Sequence, residues 1–280
     1  MDYSSRRLRV KIHPTAIVHP KANLSRDVEV GPYCVVGEHV TIGKGTKIMS
    51  HVSIDGWTEI GERNEVHPFS SIGGPPQHLG YRGEPTKVVM GDDNVIREYV
   101  TVNRATVQGG GVTSIGSKNI LMAYVHVAHD CRLGDHVIMA NAASLAGHIT
   151  IGDHAIIGGL TGIHQYVRVG DYAMVGGCCA IGQDVPPFMR AAGGYRAHLY
   201  GPNTLGLQRH GFSGERIAVL RKAFDLLFRD GHRIAEAIRL AKKEFKGHQD
   251  VAKILTFMEG TKRGISRVVN VDLDLEFDQE

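Results

Sequence analysis

An aliphatic residue recurs every six positions along most of this 280-residue chain. The series begins at Ile12 and runs through Val18, Leu24, Val30, Val36, Ile42, Ile48, Ile54, Ile60, Val66 and Ile72, returning in phase at Met90, Ile96 and Val102. A second series, shifted by one residue, runs through Ile115, Leu121, Val127, Leu133, Met139, Leu145, Ile151, Ile157, Ile163, Val169, Val175 and Ile181. A period of six matches neither the 3.6-residue turn of a helix nor the two-residue alternation of a long strand. It fits short strands separated by tight corners, and so predicts a mainly β chain built as a parallel β-helix of hexapeptide repeats. Three hexads close one triangular coil of 18 residues, and such coils stack as a solenoid in which each touches only its neighbours. Glycine follows many of the aliphatic positions (Gly31, Gly37, Gly43, Gly61, Gly91, Gly116, Gly134, Gly152, Gly158, Gly170, Gly176 and Gly182). There it is expected to give the corners their backbone freedom.

Composition agrees and excludes several classes. Glycine makes up 35 of 280 residues, well above the background of about 7%, and aromatic residues are sparse, which favours a turn-rich repeat over a sandwich. A net charge of +3, with no interleaving of basic and aromatic residues, argues against nucleic-acid binding. No run approaches the ~18 apolar residues of a membrane span. The opening "MDYSSRRLRVK" has no apolar stretch after its basic residues, so a secretory leader is not expected. The four cysteines (Cys34, Cys131, Cys178 and Cys179) show neither CxxC pairing nor a disulfide framework. They read as reduced thiols of a cytoplasmic protein.

The period also divides the chain. Residues 1–11 form a lead-in, and 12–187 form the hexapeptide β-helix, interrupted by "GGPPQHLGYRGEPTK" (73–87) and "RATVQGGGVTS" (104–114). Loops leaving a regular scaffold are where function tends to sit. The rhythm ends at Pro186-Pro187, and residues 188–265 are read as a linking segment (188–212) followed by an α-helical domain. Ser213 is a plausible N-cap for a helix carrying Ile217, Leu220, Phe224 and Leu227 and closing near Gly231. Ile234, Ile238 and Ala241 suggest a second helix; Val251, Ile254, Leu255 and Met258 suggest a third. The acidic tail, 266–280, is expected to be disordered.

Stacking arithmetic then brings histidines together. Val127, Leu145 and Ile163 are 18 residues apart, so they lie above one another in coils spaced by about 4.8 Å. His126 and His129 flank the first, His148 follows the second, and His164-Gln165 follow the third. The aliphatic residue points inward, so these polar neighbours face out or sit at corners of one edge. Three readings are open: a zinc site of neutral imidazoles, a general base oriented by a carboxylate such as Asp130, or an edge that packs on another subunit. An edge alone encloses little, so chemistry there needs a second surface from the loops or another chain.

The ordered set "GGPPQ", "GEPT", "VQGGG", "HVAHDC", "LAGH", "IHQ", "MVGG" and "QDVPP" on a hexapeptide scaffold resembles the acyl-carrier-protein–UDP-N-acetylglucosamine O-acyltransferases, which begin lipid A synthesis. The resemblance spans nearly all of the chain. It implies a left-handed β-helix and transfer of a 3-hydroxyacyl group from an acidic acyl carrier protein to the glucosamine 3-hydroxyl. It further implies a homotrimer with clefts between subunits and chemistry that needs no metal or cofactor. By that resemblance His129 is the general base, Asp130 its orienting carboxylate, and the Gly147 N–H an oxyanion donor. Gln77, His78, His126, His148, His164 and Gln165 fall at substrate-lining positions. Gly177 falls where acyl-chain depth is limited, and Asn203 and Arg209 where the nucleotide is contacted.

The chain departs from the family in "PPQHLGY": His78 and Gly80 stand where an acidic residue and a lysine are usual. Arg82 is a nearby replacement cation. The departure bears on whether the acceptor offers a 3-hydroxyl or a 3-amino group. Basic residues of the first two predicted helices (Arg216, Arg221, Lys222, Arg229, Arg233, Arg239, Lys242 and Lys243) could steer an acidic carrier. The competing functions are a zinc-dependent hexapeptide enzyme of the carbonic-anhydrase type, an N-acyltransferase using a 3-amino sugar nucleotide, and a non-catalytic trimeric scaffold.

Overall fold

The computed structural model describes residues 10–268. Most strands are two residues long, and they build three sheets of 11, 9 and 8 strands, parallel but for one terminal hairpin. Registers step by whole coils: His126 pairs with Ser144, Ser144 with Gly162, and Gly162 with Ala180. The aliphatic residue of each hexad is the inward member. Val127, Leu145, Ile163 and Ile181 stack in one buried column, and their outward neighbours in the same strands form the face of the second sheet. Each buried Val, Leu or Ile stabilises the fold by roughly 1.5–3 kcal/mol, so the solenoid core is a sum of small, local increments.

The two interruptions leave the prism on its second sheet, where Ser71 pairs with Thr101 and Thr101 with His126 in place of 18-residue partners. They are shorter than the composition suggested. Gly73 and Gly74 end the strand Ser71–Gly74, Lys87 opens Lys87–Met90, and Val112 opens Val112–Ile115, so the true excursions are 75–86 and 104–111.

The glycine expectation needs correcting. Left-handed backbone at the corners is carried by non-glycine residues such as Asp27 (φ 63), Tyr33 (φ 58), Lys118 (φ 59) and Asp130 (φ 63). Of the twelve glycines named above, none has a positive φ, whereas Gly73, after Ile72 at the first interruption, has φ 82. What they provide is the absence of a Cβ: one added at Gly43 would meet the backbone of Gly61, and one at Gly134 would meet Asp153 of the next coil. Close approach of stacked coils, not a special dihedral, selects glycine there.

After Pro187 the stretch expected to be a linker contains structure. Strands Met189–Ala192 and His198–Pro202 form an antiparallel hairpin that extends the first sheet. A short helix α1 (Thr204–Arg209) follows, then α2 (Gly214–Phe228), α3 (Ile234–Glu244) and α4 (Gln249–Glu259). Ser213 caps α2, its hydroxyl accepting from the Arg216 N–H. The helices are tied to the prism by Arg168, which donates to buried Asp184 and to the Phe257 carbonyl and lies 4.2 Å from the Phe257 ring centroid. Of the segment 266–280, expected to be disordered, Ser266 is buried and Val268 bridges Leu199; residues 269–280 lie outside the described residues, as do 1–9. Among the described residues no helix is long and apolar enough to cross a membrane.

Candidate active site

The corner after the strand His126–Val127 holds a buried network of polar side chains. Asp130 adopts the left-handed conformation, which folds its side chain back so that neighbouring residues can meet. Its Oδ2 lies 2.7 Å from Nδ1 of His129. Both residues are buried, and the Asp130 side chain is fully so. A buried carboxylate needs donors, and the second excursion supplies them: the Thr106 N–H donates to Oδ1 (3.0 Å) and the Thr106 hydroxyl to Oδ2 (2.7 Å). The Asp130 N–H donates to Thr113 Oγ1. An ionised carboxylate can only accept, so His129 carries its proton on Nδ1 and leaves Nε2 as the free basic nitrogen.

Two glycines make room for this pair. A Cβ at Gly109, in the same excursion, would fall on the Asp130 carboxylate, and one at Gly147 would fall on the His129 ring. Gly147 is the 18-residue neighbour of His129, so its missing side chain is what lets the imidazole lie over the next coil. Among the described residues the Gly147 N–H has no protein acceptor.

Two other histidines lie at ring distances near 5 Å from His129. His148 meets His129 edge-on at 5.2 Å and stacks on Tyr166. His78 meets His129 edge-on at 5.3 Å, and its Nδ1 accepts the Gly80 N–H, so a neutral His78 presents an Nε2–H donor. His126 shares a 2.7 Å hydrogen bond with the Thr101 hydroxyl. Burial lowers the pKa of His126, with the charge of His129 adding to it. Burial also lowers that of His148, against an opposing pull from Asp130. Both are therefore neutral near pH 7.

His129 and His126 border a cavity of about 1000 Å³ together with Gln77, Gly147, His164 and Gln165. Its floor is the outward face Ser144, Gly162 and Ala180, and its far rim is Tyr195, Arg196, His198, Ser266 and Arg267. His78, Asp130 and His148 touch His129 without bordering the cavity, and three expected residues lie farther away. Gly177 sits at the corner on the opposite edge of that face, preceding the strand Ala180–Ile181. Asn203 caps α1 through Oδ1 and donates to the Tyr172 carbonyl, and Arg209 is exposed at the end of that helix. Arg82 is spent within its own loop, donating to the Leu79 and Tyr81 carbonyls, so it does not take the place of a lysine at Gly80. Thr106, Gly109 and the rim residues were not anticipated; the only signal for them was the interruption of the hexads.

Ligand atoms of His129, Asp130 and His148 lie within 4.8 Å of one another, close enough to suggest a metal. The donor chemistry points the other way. Asp130 Oδ2 already accepts from His129 and from the Thr106 hydroxyl, and a metal there would displace both bonds.

Comparison with known proteins now bears on the site. Residues 184–266 match a family model described as UDP-N-acetylglucosamine O-acyltransferase, domain 2, and residues 39–74 match the bacterial transferase hexapeptide model. The acyl-[acyl-carrier-protein]–UDP-N-acetylglucosamine O-acyltransferase of Thermodesulfovibrio yellowstonii is 55% identical over 257 residues, covering 92% of this chain and 99% of the relative. The chain belongs to this acyltransferase family. The namesake enzyme of Syntrophobacter fumaroxidans is 48% identical over 92% of this chain and all of its own length. Among solved structures, LpxA from Acinetobacter baumannii superposes with a TM-score of 0.89 at 44% identity, covering 91% of this chain and 99% of its own. The Arabidopsis UDP-N-acetylglucosamine acyltransferase does so at 0.81 and 31% identity, covering 91% of this chain and all of its own. Family membership selects the acyltransferase reading over the zinc enzyme and the scaffold.

Proposed function

We propose that this protein transfers a 3-hydroxyacyl group from acyl carrier protein to the glucosamine 3-hydroxyl of UDP-N-acetylglucosamine, the first step of lipid A biosynthesis. The observation that carries the mechanism is the chain Thr106–Asp130–His129, which leaves one basic nitrogen beside the cavity. His129 Nε2 removes the proton of the acceptor hydroxyl as its oxygen attacks the thioester carbonyl. Asp130 stays ionised and stabilises the imidazolium. The Gly147 N–H donates to the oxyanion of the tetrahedral intermediate. Collapse breaks the C–S bond, and the imidazolium returns the proton to the departing thiolate, so no external acid or cofactor is consumed. Gln77, His78, His126, His148, His164 and Gln165 line the substrate.

The reading includes a homotrimer and a cytoplasmic location. Gly177, Asn203 and Arg209 are not among the residues bordering the His129 cavity of their own chain, so their assigned contacts need a neighbouring copy. An exposed column of Tyr33, His51, Phe69, Tyr99 and Tyr124, stacked at 4.8–5.0 Å along the opposite edge, is a surface suited to one. The basic helical face is the carrier's approach. Arg216 is withdrawn from it by a bidentate bond to buried Asp250, Lys242 is paired with Glu259 and Arg229 with Asp225, which leaves Arg221, Lys222, Arg233, Arg239 and Lys243 as its free cations among the described residues. Mass spectrometry of the product tests the whole reading. The protein is given UDP-N-acetylglucosamine or its 3-amino analogue, with hydroxyacyl carriers of several lengths. An ester of the natural sugar nucleotide is expected, and acylation of the amino analogue alone would overturn it.

A further inference from the structure

We propose that the C-terminal segment from Val269 to Asp278 docks along the open edge of the strand His198–Pro202 and lays its carboxylates on Arg190, Arg221 and Arg229. The described chain ends by delivering the segment to that place. Val268 forms a parallel bridge to Leu199, and the Leu199 N–H donates to the Arg267 carbonyl at 2.7 Å. His198–Pro202 is the last strand of its sheet, and Met189–Ala192 is its one strand neighbour among the described residues. A chain continuing in the same direction passes Tyr200 to Leu205, which form one wall of a second cavity, of about 390 Å³. Arg190 and, from α2, Arg221 and Arg229 complete that cavity. Among the described residues neither Arg190 nor Arg221 has a carboxylate partner, while Arg229 holds Asp225 at 3.1 Å.

The segment has the chemistry this surface asks for. From Val271 to Asp278 it reads "VDLDLEFD", with apolar and acidic residues in strict alternation. As a strand it would put Val271, Leu273, Leu275 and Phe277 on one face and Asp272, Asp274, Glu276 and Asp278 on the other. An exposed strand edge is a ready template for such an addition, and opposite charges fix which face meets the arginines. Reach is sufficient, since an extended chain covers about 3.3 Å per residue and the cavity begins beside Leu199. The segment lies beyond residue 266, where the match to the family model stops. On the carrier reading above, on which this consequence rests, Arg221 is also a docking residue, so the acidic segment competes with the acidic carrier.

Hydrogen–deuterium exchange of the full chain against a chain ending at Val268 tests the docking. The hairpin 189–202 and the exposed turns of α2 should exchange several-fold faster in the shortened chain. A full-length variant carrying Asp272→Asn, Asp274→Asn, Glu276→Gln and Asp278→Asn should exchange like the shortened one, which separates loss of charge from loss of chain. Equal exchange in all three proteins would overturn the docking. The apparent KM for the acyl carrier should fall several-fold in both altered proteins. An unchanged KM alongside faster exchange would overturn the competition and leave the docking standing. Absence of acyl transfer by any of the three would count against the carrier reading alone.

Discussion

At the scale of single residues, the proposed base has its direction set by three neighbours. Asp130 holds Nδ1 of His129, Thr106 holds Asp130, and Gly147 leaves the ring its space. Thr106→Val removes one charge-assisted hydrogen bond but keeps the side-chain shape. Such a bond is worth about 1.5–3 kcal/mol, so kcat should drop roughly tenfold or more with KM unchanged, in steady-state assays of acyl transfer. Gly147→Ala presses a methyl group on the imidazole, and a displacement near 1 Å can cost about 100-fold in rate. The same assay should register that loss while circular dichroism shows the β-helix intact. The hexad phase places His129 and Asp130 of "HVAHDC" at one corner, but it leaves three readings of them open, and their pairing as base and carboxylate is implied by the family resemblance. Thr106 could not be read, because it reaches Asp130 through an excursion whose path no periodicity encodes.

At the scale of elements, the hexad fixes the strands and leaves the corners ambiguous. From Val30 onward the inward residues are as the spacing predicts, buried in columns down the prism, whereas Ile12 of the first coil is exposed. The corners differ from expectation because two demands, a left-handed φ and close coil-to-coil approach, fall on different residues. That separation has a measurable consequence. Gly134→Ala, at an ordinary φ but against Asp153, should destabilise the fold by about 1–3 kcal/mol, as overpacking does. Lys118→Gly, at φ 59 on the surface, should leave the urea midpoint unchanged or raise it. The reverse order would mean that glycine is there for its dihedral after all. The hairpin at 189–202 escaped the sequence because its partners are a neighbouring coil and itself, with no repeat to announce them. The three longer helices were legible from apolar spacing and, for α2, from its cap.

At the scale of the whole molecule, stability is coupled to the histidines. Burial lowers the pKa values of His126, His148 and His154 in the folded protein. An unfolded histidine binds its proton near pH 6.5, so below that value the unfolded chain takes up protons that the native one refuses. Their contribution is therefore complete above about pH 6.5 and is lost as pH falls from there through the lowered native values. Thermal unfolding followed between pH 7.5 and 5.5 should show Tm falling with pH, and a Tm that rose would mean these groups are charged in the fold.

The central claim is that His129 is the general base of an acyl transfer to UDP-N-acetylglucosamine. The most direct measurement is the turnover of His129→Ala with acyl carrier donor and sugar-nucleotide acceptor, followed by mass spectrometry of the acylated product. Loss of the base should lower kcat by about 10²–10⁴-fold with the fold and thermal stability retained. Turnover within a few-fold of the unaltered protein would contradict the account.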